Sequence, residues 1–92
     1  MDISREIVHM ISEAMLAPAS IGETSNLYTD LGLDSLAFVY LLLRIEEAFS
    51  IKFGLMEMGT CTQVGRLIAL VENKVKEAAH DSALIDGSGE PE

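Results

Sequence analysis

The stretch from Leu36 to Phe49 constrains this chain most, because its apolar residues make sense only on a helix with two faces. At about 100° per residue, Phe38, Leu41, Leu42, Ile45 and Phe49 fall within a sector of roughly 80°. That is a core face. Directly opposite lie Leu36, Tyr40, Leu43 and Glu47, three of them apolar where a surface helix is normally polar. A helix is therefore expected from Asp34 or Ser35 to about Ser50, with one apolar face for the core and a second without an internal partner.

Two other segments show helical spacing. Ile3, Ile7, Ile11 and Met15 recur every four residues, with Val8 and Met10 widening the stripe, which predicts a helix over Ile3 to Leu16. Asp2 is its N-cap candidate, and Pro18 ends it by disfavouring helical geometry at Ala17. Val64, Leu67, Ile68, Val71 and Val75 predict a last helix reaching about Ala79. Gly65 inside it is a mild cost that close packing would explain. Thr60 and Gln63 fit a capping box at its start, with Thr62 an equal alternative cap. Leu55 to Met58, between Gly54 and Gly59, has room for one short helical turn. Met10, Met15, Met56 and Met58 read as core or loop fillers. Pro18 to Thr29 is a long ordered connection anchored by Ile21, Leu27 and Leu31, and connections of that length in small domains are often functional. No alternation calls for strand pairing. The expected fold is all-α: a small bundle of three main helices plus one short helix, with a long loop between helices 1 and 2.

Ninety-two residues, 49% hydrophobic and only 23% charged, suit one globular domain, expected over residues 1–79. The segment 80–92 carries Asp81, Asp86, Glu90 and Glu92 with no Lys or Arg, and is expected to be a disordered acidic tail. The formal charge of −9, with six basic residues in all, excludes nucleic acid as a partner, because phosphate binding needs clustered Lys and Arg. An acidic body is steered instead toward basic protein surfaces. The single Cys61 rules out an intramolecular disulfide and fits a reducing compartment. Met1 to Glu6 does not read as a signal peptide, and the apolar run Leu36 to Leu43 is too short to span a bilayer. The expectation is a cytoplasmic, monomeric, stand-alone protein without membrane insertion.

Asp34-Ser35 stands where the central helix begins, so Ser35 is a helix cap, a nucleophile or an attachment point. A hydrolytic serine needs a general base and an orienting acid. The only histidines are His9 and His80, and no Gly-x-Ser-x-Gly elbow is present. Metal chemistry lacks clustered ligands: Cys61, His9 and His80 are isolated, and a calcium loop counted from Asp30 puts Leu41 where a bidentate Glu is required. Capping is what Asp-Ser pairs do throughout proteins. A phosphate on Ser35 would also lie in the positive end of the helix macrodipole.

Leu31-Gly32-Leu33-Asp34-Ser35-Leu36 resembles the attachment motif Leu-Gly-x-Asp-Ser-Leu of the acyl carrier protein family, the phosphopantetheine-binding carrier domains. Ile45-Glu46-Glu47-Ala48-Phe49-Ser50-Ile51 is similar to the family's Leu-Glu-Glu-x-Phe-x-Ile, and Thr62 to Ile68 to the start of its last helix. The likeness spans Ile3 to Ala79. It implies that Ser35 accepts 4'-phosphopantetheine from coenzyme A in a magnesium-dependent transfer by a separate phosphopantetheinyl transferase. It implies that Asp34 helps the transferase hold its metal, that Gly32 belongs to the attachment motif, and that Leu36 meets partner enzymes. The arm's thiol, not Cys61, would carry an acyl group as a thioester, with no catalysis by the chain itself. Acyl-loading, synthase and acyltransferase enzymes would be the other partners.

Family members typically carry acidic residues two and five positions after the serine, where this chain has Ala37 and Tyr40. Glu46, Glu47 and Glu57 remain as acidic contacts, and Arg44 stands among them. The resulting expectation is a dedicated carrier for specialised fatty-acid, polyketide or other lipid-type biosynthesis, recognised through an apolar strip of Leu36, Tyr40 and Leu43. The alternatives are an aminoacyl or peptidyl carrier, which Asp34 before the serine disfavours, and an unmodified acidic helical interaction module.

Overall fold

The computed structural model describes residues 2–15 and 20–88, with side-chain environments through residue 78. Among these residues four helices follow in order: α1 (Ile3–Ala14), α2 (Ser35–Phe49), α3 (Leu55–Thr60) and α4 (Val64–Ser88). The fold is all-α, with three longer helices and one short one. Among the described residues there is no strand; one isolated antiparallel bridge pairs Asn26 with Gln63.

The helices start where side chains satisfy their free amides. Asp2 accepts from the Arg5 amide at 3.2 Å, and Asp34 accepts from the Ala37 amide at 2.8 Å. α2 ends with Ser50 in the left-handed region at φ 56°, where the amides of Ser50 and Ile51 both donate to the Glu46 carbonyl. α1 ends at Ala14, two residues before the expected Leu16, with Met15 extended as its C-cap. Pro18 lies outside the described residues.

The core forms where the apolar stripes converge. α1 packs on both α2 and α4. Ile7, Met10 and Ile11 meet Phe38, Leu41, Leu42 and Ile45, with Val64, Leu67 and Val71 from α4. Full burial of each Leu- or Ile-sized side chain contributes about 1.5–3 kcal/mol. Phe49, assigned to the core face, is half-buried against this cluster, as are Ile3, Met15 and Ile68. Met56, read as a filler, is instead almost fully exposed. α3 is too short to bury a face of its own, and none of its residues is fully buried.

The connection between α1 and α2 is wound tightly on its own polar groups. Asn26 Oδ1 accepts from the amides of Tyr28 and Thr29, and Asp30 Oδ2 accepts from the Asn26 amide at 2.7 Å. Leu27, Leu31 and Leu33 are buried, Ile21 half-buried, and the Tyr28 ring stacks at a tilt on Phe38, 5.2 Å between centroids. The Leu27 amide donates to the Thr62 carbonyl at 2.8 Å, tying the loop to the start of α4.

That tie corrects the expected capping of α4. Thr60 belongs to the last turn of α3, where its hydroxyl donates to the Glu57 carbonyl. Neither Thr60 nor Thr62 supplies the cap. The amides of Val64 and Gly65 donate instead to the carbonyls of Ser25 and Glu23, at 2.9 and 2.8 Å, so loop backbone does the work of a capping side chain. Gly65 is what lets the loop approach: a Cβ there would sit 3.0 Å from the Glu23 carbonyl oxygen. α4 also continues nine residues past the expected end at Ala79, so 80–88 is helical rather than an irregular tail. Between Gly65 and Gly87 the chain has neither glycine nor proline, and Ala78, Ala79, Ala83 and Leu84 are strong helix formers.

Candidate functional site

Ser35 is the first residue of α2, and the preceding turn sets its direction. Gly32 has φ +76°, a left-handed conformation that side chains resist, although space beside it is open. Buried Leu31 and Leu33 fix the chain on either side of it. Asp34 follows with extended backbone and caps the helix through its side chain. Ser35 is exposed, and among the described residues its hydroxyl makes no hydrogen bond. The amides of Ser35 and Leu36 likewise have no acceptor among the described residues, so two donors face solvent beside the Ser35 oxygen.

This arrangement fits a phosphate ester on Ser35 Oγ. The helix N-terminus favours negative charge by about 0.3–1 kcal/mol when exposed, and the two unpartnered amides supply donors. No imidazole bonds the Ser35 hydroxyl among the described residues. No cluster of metal-ligating side chains occurs among the described residues.

The expected partner contacts separate into two groups. Leu36, Tyr40 and Leu43 stand out from α2 with 78%, 62% and 50% of their surface exposed. Glu47 is exposed beside them. Glu46, by contrast, is half-buried, and its Oε2 accepts from the Phe53 amide at 2.7 Å, which ties the α2–α3 connection to α2. Glu57 is engaged too: its Oε1 accepts from the Gly54 amide at 2.7 Å and from Lys74 Nζ at 2.8 Å. The Gly54 hydrogen bond first, and Lys74 second, hold its carboxyl below the usual range. Lys74 also lies over the Phe53 ring, 6.0 Å from its centroid. Arg44 reaches across to α1 and donates to Glu13 at 2.8 Å.

Sequence reasoning gave Leu55 and Met56 no place on the exposed surface, yet both are 87% exposed on α3. The available signal was length, since six residues between glycine-rich ends cannot turn every apolar side chain inward. Cys61 is buried, and loss of solvation pushes its thiol up to about 11, so it is an inert packing residue.

The comparisons with known proteins bear on this geometry. The family profile described as the phosphopantetheine attachment site matches residues 5–71. An acyl carrier protein from Amoebophilus asiaticus (strain 5a2) is 31% identical over 77 residues, covering 83% of this chain and 96% of that protein. Carriers of this family interact with transferase and synthase enzymes. No helix among the described residues is long and apolar enough to cross a membrane. The chain belongs to the phosphopantetheine-attachment family, and is an acyl carrier protein-like carrier whose prosthetic group is covalently attached 4'-phosphopantetheine.

Proposed function

We propose that Ser35 Oγ is the attachment point, and that the chain carries an acyl or related carboxylic intermediate for a specialised fatty-acid, polyketide or other lipid-type pathway in the cytoplasm. The observation that carries this reading is the exposed Ser35 hydroxyl, free of hydrogen bonds among the described residues, at the capped start of α2. It lies within the matched segment 5–71. In the transfer, Ser35 Oγ forms the new bond to phosphorus and gives up its proton, while the nucleotide part of coenzyme A leaves. A separate transferase supplies the magnesium and the base. Asp34 holds the helix start in place through Ala37, leaving its second carboxylate oxygen available toward the transferase's metal. When attached, the prosthetic arm supplies a thiol that holds the cargo as a thioester.

The chain itself catalyses nothing in this reading. Its residues position the arm: Gly32 and Asp34 set the direction of Ser35, and Leu36, Tyr40, Leu43 and Glu47 face the enzymes that come to it. Glu46 and Glu57 support that surface from within, through Phe53, Gly54 and Lys74. Incubation with coenzyme A, magnesium and a broad-specificity phosphopantetheinyl transferase should add the mass of one phosphopantetheine to the wild-type chain and nothing to Ser35→Ala. An equal gain in both would overturn the assignment.

A further inference from the structure

The turn that leads the chain into α2 is wound on a single residue well upstream of Ser35. Asn26 Oδ1 accepts from the amides of Tyr28 and Thr29, at 2.8 and 3.0 Å. Its carbonyl accepts from the amides of Asp30 and Leu31, and its own amide donates to Asp30 Oδ2. The amide, the carbonyl and the side-chain oxygen of Asn26 are thus all engaged inside the turn. Among the described residues Asn26 makes no hydrogen bond to Ser35 or to any other residue of α2.

The far end of the turn depends on this winding. The Gly32 amide donates to the Tyr28 carbonyl at 3.1 Å, and the Leu33 amide to the Leu27 carbonyl at 2.9 Å. Both acceptors lie in the segment that Asn26 winds. Those bonds hold Gly32 at φ +76°, and Asp34 and Ser35 follow directly. The near end is fixed to the start of α4, where Leu27 donates to the Thr62 carbonyl and Val64 to that of Ser25. Asn26 therefore stands between a fixed anchor and the exposed serine. Buried Leu27, Leu31 and Leu33 hold the turn against the core, but apolar contact is non-directional and does not set the winding. The two amides on Asn26 Oδ1 are satisfied together only when residues 26–29 are closed.

A short turn with no helix of its own belongs to the readily opening parts of a fold. Attack of Ser35 Oγ on phosphorus needs the hydroxyl in a defined place. An enzyme that modifies it binds the closed turn, and its KM rises as the closed fraction falls.

We propose that Asn26 is a positioning residue for modification at Ser35, holding closed the turn that sets where the hydroxyl lies. The proposal rests on Ser35 being the attachment point.

The test gives the full chain coenzyme A, magnesium and a broad-specificity phosphopantetheinyl transferase. KM and kcat are read by mass and amide exchange by NMR, all well below the melting midpoint. Asn26→Ala leaves the Tyr28 and Thr29 amides without their acceptor, and loss of two ordinary hydrogen bonds shifts an opening equilibrium by about tenfold or more. Exchange at Gly32 and Leu33 should quicken by that factor, and KM should rise about threefold or more with kcat nearly unchanged. Asn26→Ser, which caps as well as Asn, should return both to within about twofold of wild type. Asp2→Ala removes the cap of α1 and controls for lost stability; its KM should stay at the wild-type value. Wild-type KM in Asn26→Ala overturns the proposal, as does an equal rise in Asp2→Ala or in Asn26→Ser. In the wild-type chain the amides of Thr29, Gly32 and Leu33 should be protected to within about threefold of one another, as parts of one opening unit. Protection at Gly32 about tenfold below that at Thr29 overturns the proposal without any variant. No mass gain on the wild-type chain, or a gain that survives Ser35→Ala, refutes the attachment reading itself, which keeps the two failures apart.

Discussion

Asp34 is assigned two roles, and they separate by substitution. Its Oδ1 accepts from the Ala37 amide at 2.8 Å, satisfying one of the free donors at the start of α2. Asp34→Ala removes that cap, at about 1 kcal/mol, and a negative charge at a helix N-terminus, at about 0.3–1 kcal/mol. In a domain of this size each kcal/mol moves the melting midpoint by roughly 4–8 °C, so Asp34→Ala should lower it by about 5–15 °C. Asn caps as well as Asp, so Asp34→Asn should lose only the charge contribution, roughly 1–8 °C. Transfer to Ser35 should behave differently. In the proposed transfer a carboxylate of Asp34 faces the transferase's metal, and loss of one charge-assisted contact, about 1.5–3 kcal/mol, corresponds to roughly 10–150-fold in rate. Both variants should therefore slow modification alike, while only one is clearly destabilised. The assays are thermal denaturation by circular dichroism and initial rates of mass gain, the rates measured below the lower melting midpoint. Wild-type transfer rates in Asp34→Asn would refute the metal-facing role and leave Asp34 a cap alone.

Three further outcomes follow from the packing. Gly65→Ala gains about 1 kcal/mol of helix propensity but drives a Cβ to 3.0 Å from the Glu23 carbonyl oxygen. Overpacking of about 1–3 kcal/mol and strain on the 2.8 Å Gly65–Glu23 hydrogen bond should leave the variant less stable in urea; a more stable variant would contradict the close approach. The Glu57 carboxyl, held low chiefly by Gly54 and then by Lys74, should titrate below ordinary glutamates, and Lys74→Gln should bring it only part of the way back. Because its folded value is depressed, its contribution is present above the unfolded carboxyl range and is lost as pH falls through the folded value, so amide exchange at Gly54 should quicken in acid. Return to the ordinary value in Lys74→Gln would show that the Gly54 bond does not form. Cys61, buried and raised to about 11, should be unreactive to thiol reagents at pH 8 in the native unmodified chain and reactive after denaturation; rapid native labelling would contradict its burial.

Periodicity alone located the three longer helices, since a stripe such as Ile7–Ile11 or Leu41–Ile45 has to be buried whatever the partner. The start of α2 was also legible: Asp34 followed by Ser35, ahead of an apolar run, marked a capped helix end. What was not legible came from contacts distant in sequence. Nothing near Thr60 or Thr62 announces that the carbonyls of Glu23 and Ser25 cap α4, about forty residues away. The same holds for the carboxylates. Glu46 and Glu57 look free as sequence, yet both are bonded to backbone amides across the α2–α3 connection. The end of α4 was misplaced because the expectation followed burial, whereas helix propensity carries the backbone on to Ser88.

In the proposed function one hydroxyl, Ser35 Oγ at the start of α2, receives the prosthetic arm. Fragmentation of proteolytic peptides after complete modification by transferase, magnesium and coenzyme A locates it. The phosphopantetheine should be found on the peptide containing Asp34-Ser35-Leu36, at Ser35 and nowhere else. Its appearance on another serine, or an unmodified Ser35 in a folded chain under conditions that modify a known carrier completely, would contradict the account.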